Sequence, residues 1–299
     1  MKFSIVWILA TAFLFSCNND NNAASDENNE AAQQIGDTMA AMDETGGSNG
    51  EIAFQESDQR IFERLSPKDV QLPFWKRFIS NEAYAVSCLN ASTFGACDDN
   101  VIIHTFDDCT LLLARFDGTV SLTWGQTSND CQLQVEGDTI TREPEYTVTG
   151  LRGAELSVSK TGSVGQRLEW TDGDGNDKVF KFTNDGIRRK FTTPAGATLL
   201  DFTTKTDEAI TITGTKRSNR VVNGGKLKVT NNKTDISCQY TPVDVSWSLT
   251  CNCATSGAWT ATCSDGTEAS LDITGCGTAE LTIDNGTPKD IEFDRCIGI

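Results

Sequence analysis

The chain has 299 residues, with 25 Lys and Arg against 42 Asp and Glu, a formal charge of −17 and a single histidine. Coulomb repulsion at that charge opposes binding to nucleic acid and to anionic lipid headgroups, so no nucleic-acid partner is expected. Most of the acids read as a solvated surface, with a cationic partner or a divalent ion as the sharper alternative.

In chain order, the first feature is Lys2 followed by an apolar run from Phe3 to Phe15. This is the charged and apolar pattern of a secretory signal. It is too short to span a bilayer, which takes roughly 20 apolar residues. The run ends in Leu14-Phe15-Ser16-Cys17, which resembles the lipobox of bacterial lipoprotein signal peptides. The resemblance implies removal of residues 1–16 and acylation of Cys17 (palmitate-type chains), which then becomes the N-terminus. It also implies export to the outer membrane, because Asn18 stands where a retention aspartate would. Each buried methylene contributes about 0.8 kcal/mol, so the bilayer itself is the first expected partner.

Residues 17–50 read as a lipidated linker. Their Asn, Ala, Asp, Glu, Gly and Ser content offers little surface to bury, so disorder is expected, with a weak helical patch at Ile35, Met39 and Met42. As a coil this stretch would reach about 30 Å. Residues 51–214 read as a β-rich body that begins with one short helix within 52–80, marked by Ile61, Leu65 and Pro67. Residues 215–299 read as a disulfide-rich β portion.

From about Val101 onward, apolar residues alternate with polar ones. Val120, Leu122 and Trp124 share a face, as do Cys131, Leu133 and Val135, and later Ile210 with Ile212, Leu227 with Val229, and Leu281 with Ile283. The longest alternating series is Val243, Val245, Trp247, Leu249, Cys251 and Cys253. Period-two alternation means strands with one buried and one wet face, hence antiparallel sheets. Asp117-Gly118, Asp185-Gly186, Asp265-Gly266 and Asn285-Gly286 read as tight hairpin turns. The fold class is therefore all-β, as a sandwich or a large meander.

Of the 11 cysteines, Cys17 belongs to the leader motif. The other ten form two even clusters: Cys88, Cys97, Cys109 and Cys131, then Cys238, Cys251, Cys253, Cys263, Cys276 and Cys296. In an exported chain these read as disulfides, each cluster able to close on itself, with the connectivity open. Cys251 and Cys253 are too close for zinc-knuckle spacing, and His104 is far away in sequence.

The nearest motif to a metal site is Asp172-Gly173-Asp174-Gly175-Asn176-Asp177, in which Asp172, Asp174 and Asn176 mimic the start of a calcium loop. Asp177 and Thr183 stand where the turn glycine and the bidentate glutamate belong. The loop thus reads as an acidic hairpin turn, with a weak calcium site as the alternative; no other cofactor is implied. Ser-His-Asp chemistry would have to use His104, which sits in an apolar run and reads as a packed residue. The tryptophans Trp124, Trp170, Trp247 and Trp259 align with apolar faces and read as core, with a sugar platform (Trp75 included) as the alternative.

The segments Ile210–Gly214, Ser218–Leu227, Gly275–Leu281 and Gly150–Gly153 resemble parts of cysteine-containing lipoproteins found in multiple copies in predatory bacteria. The resemblance implies a β-rich surface protein and supplies no catalytic residues. The functional reading is a membrane-anchored, non-enzymatic binding or coat module of the envelope, whose partner is a glycan or another protein. The alternatives are a carboxylate-pair hydrolase of envelope polysaccharide and an inhibitor of a cationic enzyme.

Overall fold

The computed structural model describes residues 31–36, 38–39, 92–94, 97–111, 114–125, 131–150, 153–251, 253–293 and 296. They form 17 strands in one sheet, and every pairing is antiparallel. This is the all-β, disulfide-bonded class that the alternation predicts. The helix expected within 52–80, together with Cys17, Trp75 and Cys88, lies outside the described residues.

Strands β1 (Ser92–Phe94), β2 (Val101–Leu111), β3 (Ala114–Gly125) and β4 (Thr139–Thr149) pair in chain order. Beyond β4 the sheet continues as two rows. One row is β5 (Glu155–Lys160), β8 (Ile187–Thr192), β9 (Thr198–Glu208) and β12 (Lys226–Asn231). The other is β6 (Gln166–Asp172), β7 (Val179–Asn184), β10 (Ile210–Thr213) and β11 (Val221–Asn223). Both rows rejoin on β13 (Ser237–Trp247). A plain meander then follows: β14 (Ala254–Cys263), β15 (Glu268–Gly275), β16 (Thr278–Ile283) and β17 (Lys289–Glu292).

The two rows arise because four successive arms of the meander are each broken once. The breaks lie at 161–165, Asp185-Gly186, Ala209 and Gly224-Gly225, and they line up across the sheet with a bulge at Asp107-Asp108 in β2 and irregular pairing near Asp244 in β13. Extra residues in one strand bend it and raise its twist, so a row of them folds the sheet along a line. Backbones approach closely there. A Cβ on Gly225 (φ +77) would lie 2.5 Å from the Ala209 carbonyl oxygen, and one on Gly118 (φ +120) 2.3 Å from that of Glu145.

The bend corrects several sequence expectations. Asp265-Gly266 and Asn285-Gly286 close hairpins, but Asp117-Gly118 falls inside β3, and Asp185-Gly186 joins β7 to β8, which do not pair with each other. An inserted residue also exchanges the inward and outward faces. In β13 the buried residues are Tyr240 and Pro242 before the bulge and Val245 and Trp247 after it, with Asp244 at φ +48 between them. Val243 is therefore exposed, although the alternation placed it on the buried face; Leu249, placed there too, is exposed because β13 ends at Trp247 and the chain turns at 249–250. Nor is 131–135 a strand, since the Asp138 carboxylate accepts the Gln134 and Val135 N–H groups at 2.6 and 2.9 Å. Val135 is exposed as a result.

Breaking the ladder frees backbone groups that buried side chains then satisfy. The Asn184 Oδ1 accepts the Gly186 N–H at 2.9 Å, and its Nδ2 donates to Thr204 Oγ1 at 3.0 Å. Next to it on the same face, Arg142 Nη1 donates to Gln166 Oε1 at 2.9 Å.

One apolar cluster fills the inside of the curved sheet, with residues from β2 through β17. It takes side chains from both sides of residue 215, which lies between β10 and β11. The cluster also includes a helix. Residues 31–36 and 38–39 are helical and buried on every side, with Ile35 and Met39 fully covered. The expectation of a disordered linker does not hold for these residues. Ala32, Ile35 and Met39 supply apolar contact, and the small residues let the helix sit against the sheet: a Cβ on Gly36 would come 2.7 Å from Phe293 Cδ1. Its polar groups are also satisfied. Gln33 Nε2 donates to the Glu292 carbonyl at 2.6 Å, and Thr38 Oγ1 donates to that of Gln34 at 2.8 Å.

Candidate functional site: a hydroxyl-lined trough

Strands β12 to β16 present their polar faces outward, and together these form a concavity of about 440 Å³. That is within the range of pockets that take small ligands. The alternation of β13 before its bulge sends Tyr240 inward and Gln239 and Thr241 outward. In β14 it sends Trp259 and Ala261 inward and Thr260 and Thr262 outward. Register then aligns the outward groups. Thr241 is opposite Thr260, Thr260 opposite Ser270, and Ser270 opposite Thr282; Gln239 is opposite Thr262, and Thr262 opposite Glu268. Neighbouring strands lie about 4.8 Å apart and same-face residues about 7 Å apart along a strand, so the hydroxyls form a regular grid.

The grid stands on a rigid base. The Cys238–Cys263 bridge joins directly opposed residues, one position from the Gln239–Thr262 pair. Beneath, Trp259 and Leu271 are opposed and fully buried, and Tyr240 is buried so deeply that its phenol is pushed up to about 12. Two further bridges, Cys251–Cys276 and Cys253–Cys296, tie down the far end of the same strands.

The charge of the trough is low for so acidic a protein. Its lysine, Lys226, donates to Glu208 Oε1 at 2.6 Å, and that contact raises the ammonium above its usual range. Its carboxylate is Glu268, at one end. Ser270 Oγ donates to Asp272 Oδ2 at 2.9 Å, and Gln239 Nε2 to Asp207 Oδ2 at 2.6 Å. The hydroxyls of Thr241, Thr260, Thr262 and Thr282 make no hydrogen bond among the described residues. Each keeps one donor and two acceptor positions for whatever fills the trough.

Chemistry-bearing residues named from the sequence lie elsewhere. His104 points into the core from β2, fully buried, with its ring 4.2 Å from that of Phe106. Desolvation lowers its pKa to about 4, so it is neutral at pH 7. Trp124, Trp170, Trp247 and Trp259 are all buried, and none lines the trough. Trp170 also carries the Lys178 ammonium 3.4 Å above its ring, and desolvation there lowers the lysine's pKa.

The segment from Asp172 to Asp177 is the β6–β7 turn. Asp172 Oδ1 accepts the Gly173 N–H at 2.7 Å, the Asp174 carbonyl accepts the Asp177 N–H at 2.9 Å, and the Asn176 carbonyl accepts Asn219 Nδ2 at 2.8 Å. No group of three or more His, Cys, Asp or Glu side chains among the described residues is placed to hold a metal ion, so Asp172 and Asp174 are not gathered into such a set. The cysteines pair within their sequence clusters: Cys97 with Cys131, and the C-terminal six as three bridges. The side chain of Cys109 is outside the described residues.

The outward threonines were legible as the wet face of strands. Their convergence on one hollow was not, because register and curvature produce it. Family models, curated proteins and solved structures were all compared with the chain, and none matches.

Proposed function

We propose that the chain is a lipid-anchored, non-enzymatic binding module of the bacterial cell envelope, held in the outer membrane through acylated Cys17. The observation that carries the binding role is the trough, a concave, hydroxyl-lined surface on a disulfide-stapled sheet. Rigid scaffolds that hold polar groups in place lose little entropy on binding. The trough lining contains one carboxylate, Glu268, whereas the usual glycosidase mechanism uses two. The leader motif from Leu14 to Cys17 supports the anchor, and the charge of −17 argues against nucleic acid as the partner.

A second reading, inhibition of a cationic enzyme, draws on the outer face of the last strands. There Asp272 is opposite Glu280 and Glu280 opposite Asp290, a cross-strand ladder of like charges. Its mark would be steep weakening with salt.

The test has two arms. Mass spectrometry of the mature chain should find acyl chains on Cys17, and Cys17→Ser should release the protein from the membrane fraction. The purified mature chain, incubated with envelope material, should retain a component without releasing soluble fragments. Released fragments would overturn the binding role in favour of the hydrolase, and an unacylated Cys17 would overturn the anchor.

A further inference from the structure

We infer that the trough over β12–β16 is a binding site for a neutral linear oligosaccharide, laid across the strands; this rests on the binding role proposed above and names its ligand class. The argument begins with what the lining can recognise. Thr241, Thr260, Thr262 and Thr282 offer hydroxyls that make no bond within the described residues, and Gln239 and Asn285 add amides. Such groups pair best with a ligand that is itself dense in hydroxyls, because each can donate and accept at once.

Charge narrows the class further. An anionic polymer would meet Glu268 in the trough, with Asp272 and Asp207 beside it, in a chain of net charge −17. A cation would find one carboxylate in the lining, because Asp272, Asp207 and Glu208 beside it are already engaged by Ser270, Gln239 and Lys226. A neutral ligand meets neither obstacle. An apolar ligand would leave the threonine hydroxyls dry and unpaired, which is costly.

Geometry sets the direction. The threonine and serine hydroxyls of one row come from four adjacent strands, as Thr241, Thr260, Ser270 and Thr282. Strands repeat about every 4.8 Å, close to the length of one pyranose unit, so a linear chain crossing them offers one sugar to each strand. With no aromatic ring in the lining, recognition rests on hydrogen bonds and not on stacking. Affinity for a single site is therefore modest and gains from the many copies that a membrane anchor would hold side by side.

The test is an NMR titration of the isotope-labelled mature chain with neutral cello-, chito-, malto- and manno-oligosaccharides of four to six units. The expected result is saturable shifts confined to amides of β13–β16 with at least one of them, unchanged between low and high salt. Thr260→Val and Thr282→Val keep the β-branched shape, so the fold should survive, and each should weaken binding about tenfold, the equivalent of one lost hydrogen bond. Unchanged affinity in both valine variants would overturn the inference, as would shifts mapping elsewhere. No shift with any sugar, while the same chain still retains an envelope protein, would overturn the glycan assignment and leave the binding role standing. Failure of both would sink both.

Discussion

The sheet is curved in two different ways on its two sides. Between β4 and β13 the chain has no cysteine, and the bend is made by breaks in the strands at Asp185-Gly186, Ala209 and Gly224-Gly225, with buried Asn184, Arg142 and Gln166 taking up polar groups. From β13 onward the strands form a plain meander, and three disulfides hold it. The first region stores its shape in backbone conformation and internal hydrogen bonds, and the second in covalent bridges. In the second, the outward polar residues of β13 to β16 stand in register across four neighbouring strands. That alignment is what lines the trough.

The buried helix belongs to the stapled side, packed against Phe293 with the Gly36 carbonyl 3.9 Å from the Cys253 sulfur. Breaking that contact should have the largest effect. A chain starting at residue 51 lacks the helix and should lose cooperative unfolding and bind a hydrophobic dye. Ile35→Ala and Met39→Ala should each cost about 2–5 kcal/mol in denaturant unfolding. If a chain starting at residue 51 unfolds as cooperatively as the mature chain, the helix is not part of the core.

Next in size is the bridge itself. Replacing Cys253 and Cys296 together by alanine should cost about 2–5 kcal/mol. Hydrogen exchange should rise in β14–β17 and much less in β5–β8, which sharpens the contrast between the two regions.

A pH effect of about 3 kcal/mol is expected from His104. The unfolded chain takes up a proton near the ordinary value of 6.5, whereas the folded chain stays neutral down to about 4. Stability from this group is therefore complete above pH 6.5 and is lost as pH falls from 6.5 to 4. Denaturant midpoints measured across that window should show the slope, and His104→Leu should flatten it.

The smallest effects test the broken arms. Asn184→Ala leaves the Gly186 N–H without its acceptor and should cost about 1–3 kcal/mol. Gly225→Ala should cost a similar amount, since its Cβ would meet the Ala209 carbonyl in a left-handed backbone. Cysteine-free as it is, this region should respond much less than β14–β17 to reductant and to the loss of the Cys253–Cys296 bridge.

The same contrast explains what was legible in the sequence. Strand faces in the stapled region, such as Trp259 with Ala261 inward and Thr260 with Thr262 outward, follow plain alternation. Asp265-Gly266 and Asn285-Gly286 close hairpins as their chemistry suggests. In the bent region the same dipeptide chemistry does something else, because Asp-Gly adopts a bulge as readily as a hairpin turn and only the long-range pairing decides which. Val243 misleads for that reason: Asp244 takes up the extra residue and the buried face changes. The helix showed only as a weak patch at Ile35 and Met39, because its small and polar residues resemble a linker until an enclosing sheet supplies contacts for Gln33 and Gly36.

The most direct measurement is capture of envelope material by the mature chain, compared with a chain carrying Thr241→Val, Thr260→Val and Thr282→Val together. The account predicts that the native chain retains a component without releasing fragments, and that the triple variant loses most of that capture while its unfolding midpoint barely moves. Equal capture by both chains would contradict the trough as the binding surface.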